Sequence, residues 1–322
     1  MVSGRILPRL FNLLGLALLI LTYKRSQNLR EILDTAYEAG LRDFYILVDG
    51  LKFNHDSIDV QKQKQIHSEI ESWKLVHENC NLIIKLHSAN LGCSASVLSG
   101  VDWIASNEER FCVLEDDCIP SIDFFKYVRD GLQILNQRNE VLLISGSQFA
   151  PKAITKNSWL LSHYALTWGW ATDSTRWKIL RELLKYPQVK KCISITDYER
   201  RYWRAGSRRA AEGYVDVWDT ILVASLFEHH FYSLLPGSNL VMNVGDDEDA
   251  THTTNDSTWL NQPLGKYVQS DGPLFNPKVE KWLRKHFYRI GFRHIFSTEV
   301  TRTLDIFGFH KKRVGSLQER WK

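Results

Sequence analysis

The run FCVLEDDCIPS, residues 111–121, sets Glu115, Asp116 and Asp117 directly behind the apolar pair Val113 and Leu114. Three adjacent carboxylates repel one another, and each is costly to bury unpaired. On an exposed loop they would be a solvated acidic turn that caps the next helix through Ser121. At the mouth of a buried strand, a bound divalent cation accounts for them. Ligands that are all oxygen favour Mg²⁺ or Mn²⁺ over zinc. Such ions keep waters and bridge phosphate oxygens, so the chemistry points to a nucleotide substrate whose diphosphate leaves or is attacked.

Five arginines, Arg200, Arg201, Arg204, Arg208 and Arg209, fall on a predicted helix. They are read either as a clamp for a leaving diphosphate or anionic acceptor, or as a solvated basic face. Cys80, Cys93, Cys112, Cys118 and Cys192 are scattered and form no CxxC pair, which predicts no zinc site, no disulfide framework and a reducing, cytoplasmic compartment.

The elements that must position these residues alternate. LALLILT reads as a strand. SQNLREILDTAYEAG reads as a helix with Leu29, Ile32, Leu33, Ala36 and Tyr37 on one face and Gly40 at its end. DFYILVDG, CNLIIKLHS, FCVLEDD and EVLLISGSQ read as further strands, separated by helical patterns. This rhythm predicts an α/β fold with a mostly parallel sheet covered on both faces. Ligands in such sheets gather beyond the carboxyl ends of the strands, where Thr22 to Arg25, Asp49-Gly50, Glu115 to Asp117 and Ser145-Gly146 all fall. After about residue 150 the pattern changes to dense aromatics, a basic helical stretch, a helix near 217–228 and a loop rich in Asp and Thr. We expect residues 1–275 to form one catalytic domain, with 16–150 the nucleotide half and 151–275 the acceptor half.

Residues 276–322 carry twelve Lys/Arg against four Asp/Glu, so this segment is +8 and the rest of the chain −4. With Trp282, Phe287, Tyr288, Phe292, Phe296, Phe307 and Phe309 it is expected to be a basic aromatic tail, either touching an anionic membrane surface or forming a solvated terminal helix with a packed apolar side. No domain-wide basic surface or motif supports a nucleic-acid partner. The apolar stretch LFNLLGLALLILTY has about 14 residues, short of the ~20 a spanning helix needs, and no small-residue cleavage site follows. Its second half, Leu16 to Thr22, is expected to be a buried strand, with a signal or anchor as the alternative.

Eight pieces then occur in a telling order: LLILTYKRSQNLREIL, ILVDG, ANLGCSASVLSGVDWI, VLEDDCIPSIDFFKY, ISGSQ, TWGWAT, the pair Trp218-Asp219, and PGSNLVMNVGDDEDATHT. In this order the sequence resembles GT-A-type glycosyltransferases. More narrowly it resembles the bacterial, haemolytic-protein-like nucleotide-sugar transferases, whose acidic triplet is their DxD equivalent. The likeness spans residues 16 to about 254 and leaves out the basic tail.

The resemblance implies a GT-A fold and roles for particular residues. Asp117 would be the principal metal ligand, with Asp116 toward the ribose or metal and Glu115 on the base or sugar side. Thr22, Tyr23, Arg25 and Asp49 would hold the nucleotide base, and Asn90 and Gly92 would approach the donor. Gly169 would let backbone pass close to the donor sugar, with Trp168 and Trp170 as walls, the alternative being an aromatic turn packed in the core; here Asp173, Ser174 and Thr175 depart from the family's usual continuation. Asp219 would be the base that takes the acceptor proton, with Asp216 the second candidate, and either could be an ordinary helix cap. His252 would complete the metal shell or touch the diphosphate.

The expected activity is metal-dependent transfer from a nucleoside-diphosphate sugar to a carbohydrate or lipid-linked glycan acceptor, with inversion, in surface-glycan synthesis. A nucleotidyltransferase and a non-catalytic nucleotide-sugar-binding protein are the other classes that these residues allow.

Overall fold

Ala17 to Thr22 is an uncharged run ending in β-branched and leucine residues, and strand β1 forms there, buried along its whole length. It belongs to a computed structural model that describes residues 15–155, 159–185, 188–190, 195–245, 258–270 and 272–291, with 300–301, 303–305, 307–310 and 312 near the C-terminus. The first half alternates as expected: α1 (Leu29–Glu38), β2 (Asp43–Val48), α2 (Ser57–Val76), β3 (Asn81–Leu86), α3 (Cys93–Ala105), β4 (Arg110–Glu115), the short β5 (Cys118–Pro120), α4 (Ile122–Gln137) and β6 (Val141–Ser145). The second half adds β7 (Trp159–Ser162), β8 (Trp170–Asp173), α5 (Ser174–Leu183), α6 (Asp197–Ala211), α7 (Asp219–His229), β9 (Tyr232–Pro236), β10 (Val241–Asn243), β11 (Leu274–Phe275) and α8 (Pro277–Trp282), which runs into a π-helical turn, Leu283–Phe287.

Nine strands form one sheet in the order β11-β7-β9-β6-β8-β4-β1-β2-β3. The pairs β1–β2, β1–β4, β2–β3, β6–β9 and β7–β11 are parallel, so the sheet is mostly parallel and its helices cover both faces. Alternation along β1 shows why a run with no polar period is needed: Ala17, Leu19 and Leu21 enter one core layer, and Leu16, Leu18 and Ile20 enter the other. Strand β8 runs antiparallel between β4 and β6, and restores the same direction on its far side. The carboxyl ends of β1, β2, β4, β6 and β9 therefore share one edge.

The small sheet of β5 and β10 sits on that edge and pairs Cys118 with Asn243. Neither strand stands out in the sequence, because three residues give no period.

Residues 276 onward were expected to form a separate tail, and the first part of them is built into the core instead. Val279, Leu283 and Ile290 are buried in the same layer as Trp170 and Phe227, and Tyr288 stacks on Tyr164 at 5.0 Å. Trp282, Phe287 and Tyr288 thus pack against the fold; Phe307 and Phe309 are exposed, and Phe292 and Phe296 lie outside the described residues. Among the described residues no helix is long and apolar enough to cross a membrane. Cys80, Cys93, Cys112 and Cys118 are free thiols.

The arginine-rich helix α6 also departs from the expectation. Arg208 and Arg209 converge on Asp305, at 3.1 and 2.6 Å, and His310 Nδ1 lies 2.8 Å from the same carboxylate. The Asp305 side chain is fully buried, so these two arginines hold the C-terminal segment rather than a diphosphate. Arg200 pairs with Asp197, while Arg201 and Arg204 are exposed. Asp305→Ala should lower unfolding stability by about 1–3 kcal/mol in urea melts, less than a fully buried pair because both arginines keep some solvent. Unchanged stability would show that the clamp does not anchor this segment.

Candidate functional site

Register brings the candidate residues together. Thr22 pairs with Val48 and Leu21 with Glu115, so the ends of β1, β2 and β4 lie side by side. Asp116 is the pin between them. Thr22 Oγ1 and the Tyr23 N–H donate to its Oδ2 at 2.8 and 3.2 Å, and Asn28 Nδ2 donates to its carbonyl at 3.0 Å. Arg25 Nη1 lies 2.8 Å from Asp117 Oδ2 and 3.5 Å from Asp116 Oδ1. The TYKR turn is therefore locked to the acidic triplet by hydrogen bonds and one guanidinium.

Asp117 is held from the other half of the chain. Asn243 Nδ2 donates to its Oδ1 at 3.3 Å, and the Val244 N–H donates to its carbonyl at 2.8 Å. A Cβ at Gly245 would meet Asp117 Oδ2 at 2.3 Å, so only glycine allows this approach. Asn243 and Gly245 were not singled out in the sequence; the signal was their place in NLVMNVGDD, one of the eight ordered pieces.

The triplet is electrostatically crowded. Burial first, then the charges of Asp117, Asp116 and Asp219, push the Glu115 carboxyl up from 4.5 to about 8 against the pull of Arg25. Burial and Asp117 push Asp116 up to about 6, opposed by Thr22 and Arg25. Asp219 opens α7 next to this cluster, with its Oδ1 accepting from the Thr220 N–H at 2.7 Å. The helix start is fixed by Trp218, which is buried against Trp170 at 5.5 Å.

The crowding has a pH consequence. Glu115 keeps its proton to higher pH in the folded chain than in the unfolded one. From its ordinary value of 4.5 to about 8, the folded state holds the extra proton, so stability falls as pH rises through that window. Melting temperatures of metal-free protein should drop from about pH 5 to about pH 8. A flat or rising profile would contradict the burial of this charge.

The residues fit a divalent cation by charge and donor type. Asp117, Asp116 and Asp219 all act on the Glu115 carboxyl, with Arg25 opposing them, and every donor in the group is oxygen. Among the described residues no three His, Cys, Asp or Glu side chains converge on one metal position. An ion taken together with a diphosphate needs only one or two carboxylates, the remaining ligands being phosphate oxygens and waters. His252 lies outside the described residues.

Asp49 sits at the end of β2 but its carboxylate is already engaged. Asn90 Nδ2 donates to Oδ2 at 3.0 Å, the Leu91 and Gly50 N–H groups donate to Oδ1 at 3.1 and 3.0 Å, and His87 Nδ1 lies 3.2 Å away. In this arrangement Asp49 shapes the NLG loop. Gly92 follows at φ 80° and opens α3.

Asp216 bridges the two halves. Its oxygens accept from the Cys93 and Ser94 N–H groups, at 2.8 and 3.1 Å, across more than a hundred residues. Both oxygens thus cap α3 from a distance, and Asp216 ties the NLG loop to the segment before α7. Asn caps helices about as well as Asp, and Ala does not. Asp216→Asn keeps one acceptor oxygen of the two and sets its NH2 against the other N–H, so it should keep only part of the stability and activity, whereas Asp216→Ala should lose about 1 kcal/mol or more of stability and a larger part of kcat. Equal loss in both variants would return Asp216 to a chemical role.

Around Gly169 the backbone turns at φ 71°, with its carbonyl accepting from the Gly146 N–H at 2.7 Å. A Cβ there would meet Val241 Cγ2 at 2.6 Å. Trp168 is half-buried at the surface of this turn. Trp170, expected as a pocket wall, is 2 % exposed; its ring lies in the core between Trp177 and Trp218, because the first residue of β8 faces inward.

Neither a family model nor a curated protein sequence matches the chain. Among solved structures it is similar to the mannosyltransferase PcManGT from Pyrobaculum calidifontis in complex with GDP-Man and Mn²⁺, at 12% identity and a TM-score of 0.43. That likeness covers 73% of this chain and 58% of the mannosyltransferase, so the chain spans less than two thirds of it. It is also similar to a putative glucose-1-phosphate thymidylyltransferase from Bacillus anthracis in complex with a sucrose, at 13% identity, TM-score 0.33, and 52% and 75% coverage. HddC from Yersinia pseudotuberculosis follows at 11% identity, TM-score 0.31, and 49% and 77% coverage.

Proposed function

We propose that the chain is a metal-dependent glycosyltransferase of GT-A type, moving a sugar from a nucleoside-diphosphate sugar to an acceptor hydroxyl with inversion. The observation that carries this reading is the overcrowded carboxylate edge, Glu115 to Asp117, with Asp219 in electrostatic reach of it at the carboxyl ends of a mostly parallel sheet. Asp117 and Asp116 are the residues to hold the ion. When bound, it neutralises charge on the departing nucleoside diphosphate. Thr22, Tyr23 and Arg25 form the turn beside it, and the loop Asn90–Gly92, braced by Asp49, closes the donor side.

Asp219 takes the proton of the acceptor hydroxyl. The acceptor oxygen then bonds to the sugar's C1 while the C1–O bond to the diphosphate breaks and its electron pair leaves with phosphate. A rigid helix start, anchored by Trp218 in the core, suits a base that must not move. The acceptor class, a carbohydrate or lipid-linked glycan of surface-glycan synthesis, and a cytoplasmic setting belong to the same reading.

A thermal-shift screen of nucleotide sugars with and without Mn²⁺ tests it. One donor should stabilise the protein only when metal is present. Pyrophosphate release from a nucleoside triphosphate and sugar phosphate would instead make the chain a nucleotidyltransferase.

A further inference from the structure

Five aromatic side chains from four separate segments meet next to this site. Trp168, which precedes the Gly169 turn, lies 5.2 Å from Phe149 between ring centroids. Phe149 stacks on Phe287 of the π-helical turn at 4.6 Å and 10°. Trp259 lies 5.7 Å from Phe149, 5.5 Å from Phe287 and 5.6 Å from Trp282. All five are half-buried, so the cluster keeps a solvent-facing side.

The cluster is fastened to the acidic edge. The Asn261 N–H, two residues after Trp259, donates to the carbonyl of Asn243, whose side chain holds Asp117. On its other flank, Tyr288 follows Phe287 and lies in electrostatic reach of Asp219. The cluster is thus tied on one flank to the residue that holds Asp117 and adjoins, on the other, a tyrosine within electrostatic reach of the proposed base.

Their polar atoms narrow the occupant. Among the buried tryptophans, Trp73 and Trp177 donate their indole N–H groups to Asp34 and Asp102, at 2.6 and 2.7 Å, and Trp203 is buried without an acceptor. Among the described residues, Trp168, Trp259 and Trp282 have no acceptor for theirs and are not buried without one. A lipid chain would use only ring faces. A sugar ring presents C–H faces to aromatic rings and hydroxyls to N–H donors at once, and so uses both.

We propose that Phe149, Trp168, Trp259, Trp282 and Phe287 form an acceptor subsite for a saccharide ring, assembled in part by the C-terminal segment. This rests on the transferase reading above.

Saturation-transfer NMR on the full chain with a panel of methyl glycosides of common hexoses and N-acetylhexosamines tests it. At least one glycoside should receive saturation at its ring C–H protons. Trp259→Ala should weaken that binding by about tenfold or more, and Trp259→Phe, which keeps a ring but no N–H, by a few-fold, on the order of one lost hydrogen bond. Retained Mn²⁺-dependent stabilisation by the nucleotide sugar would show that the variants fold. No glycoside bound, or binding indifferent to Trp259→Ala, overturns the subsite. So does a blue shift of tryptophan emission with phosphatidylcholine–phosphatidylglycerol vesicles but with no glycoside. If glycosides bind as described while no nucleotide sugar binds with Mn²⁺, the subsite stands and the transferase reading falls.

Discussion

Under the proposed function, Asp117→Asn should remove metal-dependent donor binding and lower transfer by about 10³-fold, with no net loss of stability in the metal-free protein. Both parts follow from the crowding at residues 115–117. An ion neutralising a leaving diphosphate contributes several kcal/mol to the transition state, which is the size of that rate loss. The carboxylate that holds it is at the same time a repulsive neighbour of Asp116 and Glu115 in the empty edge. Neutralising it relieves that repulsion and gives up the ion pair with Arg25, two effects of opposite sign that offset, while the amide oxygen keeps one acceptor and the main-chain bond from Val244 is untouched. Melting curves of the two proteins, with and without Mn²⁺ and nucleotide sugar, read both effects. A variant that melts early without metal, or still shows a metal-dependent donor shift, would place Asp117 in a purely structural role.

Asp219→Asn has the opposite signature. Donor and Mn²⁺ should still bind, because the proposed ligands at the acidic edge are intact, but transfer should fall by about 10²–10⁴-fold as the acceptor proton loses its proposed destination. Asparagine retains the local bond to the Thr220 N–H, so α7 keeps its start. Binding and turnover therefore separate: the donor shift is unchanged while product formation collapses. If donor binding disappears together with turnover, Asp219 is a ligand of the ion; if turnover survives, the base lies elsewhere.

Much of the first half of the fold could be read in advance. Strands β1 to β4 and helices α1 to α4 alternate at lengths that give clear periods, and parallel strands buried on both faces leave uninterrupted apolar runs. The second half could not be read that way. Strands β7, β8, β10 and β11 span two to four residues, and a dense aromatic stretch looks the same whether its rings line a cleft or fill a core. Trp170 and Trp168 show the difference: two residues apart, one is in the interior and the other at the surface, and only the turn at Gly169 separates them.

At the site, residue types were informative and partners were not. The acidic triplet pointed to crowding at a strand end, and the structure has it. That Asp49 would be spent on Asn90, or that Asp216 would cap a helix begun at Cys93, depends on contacts across about 40 and more than 120 residues. No local pattern encodes such contacts. The basic, aromatic C-terminal segment left two readings open for a related reason: composition reports charge, but the burial of Val279 and Leu283 decides for the packed apolar side.

The hold of Asn243, Val244 and Gly245 on Asp117 sets an order of assembly. The acidic turn is synthesised long before the strand that braces it, and the pairing of Cys118 with Asn243 closes a loop of 125 residues. Contacts of such long range form late, after the locally connected β1–β4 framework has gathered. A nascent chain that has emerged only through α4 therefore carries a sheet with an unbraced charged corner, and the proposed ion affinity would be acquired as one of the last steps of folding rather than inherited from the first half.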